Sequence, residues 1–378
     1  MSFLGEAVVD LAAVAGNVRT VAAVARTDLM AVVKADGFGH GAIAVARAAI
    51  AAGAGWLGVT SSAEALSLRS AGLTAPILSW LHAPDEDFGR PIAARVDLGV
   101  STVPHLHAVA ALGRRLGARA VVQLKADTGL SRNGAAGHDW PELVGWARKY
   151  EREGSLRVRG VWSHLADAET PGSVSVARQV SAFDEALRVA RAAGLDPELT
   201  HLANSAAALT APAARYDLCR IGIALYGIDP LGTGPPGLRP ALTLRSRVVN
   251  VKRVGRGTGV SYGPDHVTGR PTTLALLPLG FADGLPRAAQ GRAEVWLHGR
   301  RCPVVGRIAM DQCVVDAGEL PVAIGDPVTV LGPGDHPAGT APTVADWARW
   351  AGTSPHEILT GIGARVRRTY RYGEAAAL

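Results

Sequence analysis

Cysteine is scarce: the chain has only Cys219, Cys302 and Cys313, an odd number with no C-x-x-C spacing. Neither a disulfide framework nor a zinc site is indicated. Lysine is scarce relative to charge, with Lys34, Lys125, Lys149 and Lys252 the only four among 39 positive residues. Arginine supplies the rest, so each lysine is a candidate for required amine chemistry. Blocks of five or six like charges are missing, and the net charge of +6 is spread over 378 residues. A nucleic-acid binder would gather Lys and Arg into a stripe, so that class is set aside. No apolar run is long enough for a membrane span. The opening MSFLGEAVVDLAAVAG lacks a basic n-region and carries Glu6 and Asp10 in its apolar stretch, which predicts no signal peptide. The expectation is a soluble, cytoplasmic protein.

What is present suits two domains with sizeable cores: 48% hydrophobic and 19% charged residues, with Gly and Pro below a low-complexity share. The first two-thirds alternate β-branched runs with Ala-rich helical stretches such as 42–52, 62–70, 105–116 and 174–193. The predicted strands are 29–33, 56–60, 76–80, 96–100, 120–125, 158–163, 198–202 and 217–221. Eight β–α units in this rhythm predict a parallel sheet closed as a (β/α)8 TIM-type barrel. After the Gly/Pro-rich LGTGPPGLRP the texture turns to short strand-like runs with one clear helix at 343–351. The expected organisation is therefore α/β: a barrel over residues 1–235, then a mostly-β domain over 236–378.

Catalytic residues of a barrel cluster at the C-terminal ends of its strands. There the sequence places Lys34 after the first strand, Lys125 after the fifth, His164 after the sixth, His201 with Asn204–Ser205 at the seventh, and Arg220 before Gly222–Ile223 at the eighth. Barrels commonly bind a phosphate with the loops after strands seven and eight. Ser205 can donate a hydroxyl there, and Gly222 lets the backbone approach an anion closely. A strand-end lysine facing such a cradle fits pyridoxal phosphate, whose aldehyde forms a Schiff base with lysine. Other phosphate ligands fit as well, and a strand-end lysine can simply be solvated.

The motifs narrow this. AVVKADGFGHG resembles the cofactor-lysine motif of the alanine racemases, and KADTGLSRNG, HLANSAA, RIGIALYG, GVSYG, GFADGLPR and GRIAMDQ resemble further motifs of that family in the same order. The resemblance implies that Lys34 carries pyridoxal phosphate as an internal aldimine and is one of two catalytic bases. Tyr262 is implied as the second base, supplied by the partner subunit of a homodimer with composite sites. His164 and Arg220 are implied beside the cofactor as the positive neighbours that favour the Tyr262 phenolate. Arg220 is implied to face the pyridine nitrogen, with an ion pair to Asp217 as its alternative role. Arg132 and the backbone N–H of the partner subunit's Met310 are implied to bind the substrate carboxylate, and a carbamylated Lys125 to hold Arg132. Asn204, Ser205, Gly222 and Ile223 would form the phosphate cradle, and Arg287 and Arg307 would line the substrate corridor or serve in ion pairs. His201, Asp283 and Asp311 lie within motifs but receive no catalytic role.

Three positions depart from the family pattern. Phe38 and Phe281 stand where tyrosines are usual, and Ala364 where some members have a tyrosine. They put in doubt one phosphate contact and the tightness of the site entrance. The implied activity is interconversion of L- and D-alanine, which supplies D-alanine for peptidoglycan. The alternatives are a serine or broader-specificity racemase, a decarboxylase of the same architecture, and a non-catalytic pyridoxal-phosphate carrier. A barrel hydrolase would need paired carboxylates, and none lie at the strand ends.

Overall fold

The computed structural model describes residues 4–232, 237–263, 265–334 and 341–372. Its strands, in chain order, begin with β1 (Gly5–Asp10), β2 (Asp28–Val32), β3 (Trp56–Val59), β4 (Ile77–Ser79), β5 (Asp97–Val100), β6 (Ala120–Lys125), β7 (Leu156–Trp162), β8 (Leu199–His201) and β9 (Leu218–Ile221). There follow β10 (Leu242–Arg247), β11 (Asn250–Val254), β12 (Gly259–Val260), β13 (His266–Val267), β14 (Thr272–Leu277), β15 (Glu294–Leu297), β16 (Arg300–Val305), β17 (Cys313–Gly318), β18 (Pro327–Leu331) and β19 (Arg367–Arg371). They divide between two compact units, one of residues 14–37 and 42–239, the other of residues up to 13, 38–41 and from 240 onward.

In the first unit β2–β9 form one all-parallel sheet, ordered β8-β7-β6-β5-β4-β3-β2-β9, and each strand coincides with its expected run to within two residues. Strands of a barrel are covered on both faces, so they read as continuous apolar runs, and β3, β4 and β9 are buried throughout. The ladder is incomplete between β8 and β9. There the ring is joined by Asp217 N–H donating to Thr200 O at 3.0 Å and Arg220 N–H donating to Ala203 O at 3.0 Å. Asp217 Oδ2 accepts from Thr200 N at 2.8 Å and from Thr200 Oγ1 at 2.6 Å. That commitment to the seam explains why Asp217 is not the partner of Arg220. Met30, Trp56, Leu78, Trp162 and Leu218 pack as a buried cluster, with Trp80 and Leu199 against it.

The second unit is built on a nine-stranded sheet ordered β11-β14-β17-β16-β15-β18-β10-β1-β19. Here the structure corrects the expected domain limits. β1 pairs antiparallel with β10 (Val8 opposite Thr243) and parallel with β19 (Val8 opposite Thr369), so the first strand belongs to the β unit rather than to the barrel. Its GEAVVD run is buried from Gly5 to Val9, and both of its edges are paired within that sheet. The expected boundary at 235 and 236, with residues 233–236 of the linker, lies outside the described residues. The helix expected at 343–351 is Val344–Ala351, and a second, Pro355–Thr360, follows it behind a Ser354 N-cap. Residues 38–41 also pack in this unit: Arg368 Nε donates to Gly39 O at 3.1 Å, and the Phe38 ring lies 5.7 Å from that of His356.

Candidate active site

Lys34 follows β2 at the mouth of the barrel and opens a left-handed turn. Ala35, Asp36 and Gly37 have φ values of 52°, 51° and 62°. Left-handed backbone disfavours a Cβ by roughly 1–2 kcal/mol per non-glycine residue, so Ala35 and Asp36 need anchors. Glu64 supplies one: its Oε1 accepts from Ala35 N at 2.7 Å, while Oε2 accepts from Thr60 N at 2.8 Å and Ser61 N at 3.2 Å. Asp36 Oδ1 accepts from Ala42 N at 2.9 Å, and Gly37 N–H donates to Val33 O at 2.9 Å. The turn fixes where the lysine side chain begins. Its Nζ stands 5.8 Å from the centre of the Trp80 ring. Burial first, and Arg132 second, hold the Lys34 amine below its usual pKa, with Glu64 opposing them.

A second tryptophan carries two more cations. Lys125 Nζ lies 4.5 Å and Arg220 Cζ 5.0 Å from the centre of Trp162, itself 6.1 Å from Trp80. Lys125 is 5% exposed at the end of β6, and burial with the charges of Arg220 and Arg132 lowers its pKa to about 8, against a smaller upward pull from Asp127. Asp127 also shapes the loop that presents Arg132: its Oδ1 accepts from Gly129 N at 2.9 Å and from Ser131 N at 3.1 Å. Arg132 is exposed, and among the described residues no carboxylate pairs with it.

Arg220 is 5% exposed, and both of its Nη atoms are engaged as donors. Nη2 donates to Ser163 O (2.6 Å), Leu202 O (3.0 Å) and His164 Nδ1 (3.1 Å), and Nη1 donates to His201 Nδ1 (2.8 Å) and His201 O (3.1 Å). Its partners are carbonyls and imidazoles rather than an acid. Because guanidinium only donates, both histidines must offer a lone pair at Nδ1 and carry their proton on Nε2. Burial and the charges of Arg220, Arg132, Lys125 and Lys34 push His164 down to about 2. His164 is therefore neutral, so of the two positive neighbours expected for Tyr262 only Arg220 is a cation.

The expected phosphate cradle comes together at the ends of β8 and β9. Ser205 Oγ accepts from Gly222 N at 3.0 Å and Ala224 N at 3.3 Å, which leaves its own proton to donate outward. Asn204 caps the short helix Ser205–Thr210 by accepting from Ala207 N at 3.0 Å, and Ile223 opens the turn Ile223–Tyr226. The remaining candidates stand on the β unit. Tyr262 is 69% exposed between Ser261 and Gly263, both at φ 64°, and Ser261 Oγ donates to Arg307 O at 2.7 Å. Arg307 forms a two-pronged pair with Asp265 at 2.5 and 3.1 Å, as its alternative role anticipates. Met310, Phe281, Arg287 and Ala364 are exposed or nearly so. Asp283 is buried and Asp311 exposed, and both pair with Arg365.

Sequence reasoning missed Glu64, Trp80, Trp162 and Asp127. Glu64 had a signal, since Ser61-x-x-Glu64 has capping-box spacing and the box forms. The two tryptophans had none, because a large aromatic in a barrel strand reads as core. Among the described residues no helix is long and apolar enough to cross a membrane, and no group of three His, Cys, Asp or Glu side chains could hold a metal ion.

A parallel barrel with a half-buried lysine of lowered pKa at its mouth, cationic neighbours, and a second unit built on a mostly antiparallel sheet defines a class: barrel enzymes whose chemistry runs through a lysine amine. Models of the alanine racemase N-terminal and C-terminal domains match residues 9–230 and 241–370, and the chain belongs to the alanine racemase family, isomerases that racemise an amino acid. It is 50% identical over 369 residues to the alanine racemase of Frankia casuarinae, covering 96% of this chain and 95% of the relative. The crystal structure of alanine racemase from D-cycloserine-producing Streptomyces lavendulae matches at TM-score 0.95 and 46% identity, covering 99% of this chain and 98% of that one. Alanine racemase from Bartonella henselae, solved with covalently bound pyridoxal phosphate, matches at TM-score 0.88 and 29% identity, covering 98% and 100%.

Proposed function

We propose that this chain interconverts L- and D-alanine on pyridoxal phosphate held by Lys34, with Lys34 and Tyr262 as the two bases. The observation that carries the reading is the buried Arg220 guanidinium, bonded to carbonyls and imidazoles and to no acid. The residues present fit the group: a lysine biased toward its neutral amine, a serine proton beside Gly222 for a phosphate, and a surplus of cations for anionic ligands. When bound, the cofactor supplies an electron sink that acidifies the substrate α-carbon. Arg220 can donate to a ring nitrogen but does not readily surrender a proton, which keeps that sink weak and disfavours side reactions such as transamination.

The chain's own residues do the rest. Racemisation removes a proton from one face of the α-carbon and returns one on the other. A single base held on one side tends to return it to the face it came from, and two bases on opposite faces solve this geometrically. Lys34 serves one face, its depressed pKa giving it a larger neutral fraction near neutrality. Tyr262 serves the other. Arg132 binds the substrate carboxylate as a two-pronged donor, helped by the Met310 N–H of a second copy. The neutral Lys125 amine adds to carbon dioxide and releases a proton, and the resulting carbamate anion holds Arg132. Asn204, Ser205, Gly222 and Ile223 hold the phosphate, and Arg287 and Arg307 line the approach. The β domain brings Tyr262 and the contacts of a homodimer, placing the two bases on different copies. The enzyme works in the cytoplasm and supplies D-alanine for peptidoglycan.

Purified protein should take up pyridoxal phosphate and turn yellow, and borohydride should lock the cofactor onto Lys34, identified by peptide mass spectrometry. Loaded protein should convert either alanine enantiomer to a near-equal mixture. A colourless protein that takes up no cofactor would defeat the proposal.

A further inference from the structure

The barrel interior contains a chain of side chains that reaches Arg220 from the opposite end. Asp97 is the first residue of β5, Gln123 lies within β6, and both are buried with His201 at 2%, 0% and 0% exposure. Arg159 Nη1 donates to Asp97 at 2.8 and 3.1 Å, Gln123 Nε2 donates to Asp97 Oδ2 at 2.8 Å, and His201 Nε2 lies 2.7 Å from Gln123 Oε1. His201 Nδ1 then accepts from Arg220 at 2.8 Å. The direction of every bond follows from the two ends. Arg220 can only donate, so His201 Nδ1 is a lone pair and Nε2 carries the proton. That proton needs an acceptor, which turns the Gln123 carbonyl toward His201 and its NH2 toward the carboxylate of Asp97. Gly160 leaves the space, since a Cβ there would come within 3.1 Å of Gln123 Oε1. Trp162 lies parallel to the His201 ring, with centres 5.6 Å apart and planes 9° from parallel.

We infer that Gln123 and Asp97 are positioning residues for Arg220, acting through His201 to fix its tautomer and so the orientation of the guanidinium. The inference rests on the reading above that Arg220 faces the cofactor ring. Without the amide, the proton on His201 Nε2 loses its acceptor, and Arg220 alone favours that tautomer. The other tautomer presents an N–H to Arg220, and donor would face donor. The chain ends on the Asp97–Arg159 pair, and Arg220, its last link, donates a hydrogen bond without readily surrendering a proton.

Histidine-15N-labelled, cofactor-loaded enzyme tests this by long-range proton–nitrogen correlation. In the parent, His201 should be neutral with its proton on Nε2 throughout about pH 5–8, where ordinary histidines titrate. Gln123→Met should show a share of the Nδ1-protonated tautomer. Its kcat should fall on the order of tenfold, since a buried donor loses its acceptor, while KM for alanine moves less than about threefold. Gln123→Glu, of the same size, covers the case in which the Met variant does not fold. It keeps an acceptor for His201 but sets a carboxyl against Asp97, and should draw a second proton onto His201 and lower kcat. A His201 signal identical to the parent's in the folded variants overturns the chain, and an altered tautomer with parental kcat overturns its positioning role. Failure of the underlying reading looks different: Arg220→Gln would then leave both kcat and the cofactor's visible absorbance as in the parent.

Discussion

Glu64 holds the residue next to Lys34: its Oε1 accepts the Ala35 N–H at 2.7 Å, while Oε2 caps the helix on which Glu64 itself stands. One carboxylate thus ties the start of a helix to a left-handed turn, and through the turn to the origin of the lysine side chain. The same charge works mildly against the lysine's depressed pKa. The position of Lys34 is thus held by a residue that need never touch substrate.

Replacing Glu64 with Ala should therefore act twice. Losing the capping box and the Ala35 anchor should lower stability by about 1–3 kcal/mol, read as a fall in the unfolding midpoint in urea. Released from its anchor, the turn should also hold Lys34 less firmly, and cofactor should dialyse away faster than from the parent. A variant with parental stability and parental retention would mean that the turn holds itself.

Lys125 makes a prediction with a definite pH direction. Its folded pKa of about 8 lies below the ordinary lysine value, so between about 8 and 10.5 the unfolded chain binds more protons and stability rises with pH. Below that window the buried cation is an undiminished burden. Carbon dioxide reacts with the neutral amine alone, and the carbamate replaces a cation beside Arg132 and Arg220 with an anion. Labelled bicarbonate should give a carbamate carbon signal that Lys125→Ala abolishes, and Lys125→Ala should flatten the rise in stability above pH 8. No carbamate signal in the parent would remove the modification from the account.

Most of the barrel could be read from its strands because a strand covered on both faces is apolar throughout, and Lys34, Lys125 and Arg220 end such runs. GEAVVD fell within the expected barrel limits without being named as a strand, and only its pairing with β10 and β19 places it in the other sheet. Roles that depend on geometry left no trace in the sequence. The neutrality of His164 comes from burial first and then from four cations, Arg220, Arg132, Lys125 and Lys34, and Trp80 and Trp162 look like core until a cation is placed on each. Gln123 is an unremarkable residue in QLKAD until its two neighbours are known.

The two proposed bases can be separated by face and by subunit. Tyr262→Phe should lower abstraction from L-alanine by roughly 10²–10⁴-fold, the range for losing a positioned base, while Lys34 continues to exchange the α-proton of D-alanine in heavy water. Loss of exchange for both enantiomers would refute the assignment of faces. If the bases come from different copies, mixing and reassociating Lys34→Ala with Tyr262→Phe protein should restore about a quarter of parental activity. Half the dimers then carry one intact site each. No recovery, with exchange of subunits confirmed by mass, would place both bases on one chain.

Phe38 is the departure with the sharpest consequence. Its ring is 4% exposed and packs near His356, and its φ of 51° continues the left-handed turn that starts after Lys34. A tyrosine at this place, which the family resemblance implies is usual, would bring a hydroxyl that can donate to a phosphate. A hydrogen bond to a charged group contributes about 1.5–3 kcal/mol, whereas a buried hydroxyl with no acceptor is destabilising by about 1–3 kcal/mol. Phe38→Tyr should therefore split the two states of the enzyme. Cofactor-free protein should unfold at lower temperature than the parent, because the new hydroxyl is buried without its acceptor. Loaded protein should hold pyridoxal phosphate more tightly, by less than the full contact because Ser205, Gly222 and the covalent link already retain it. Racemisation at saturating cofactor should change little, since neither base is touched. Calorimetry of both forms, with cofactor titration after dialysis, measures the split directly. Equal shifts in the free and loaded forms would place Phe38 away from the phosphate and make it a packing residue alone.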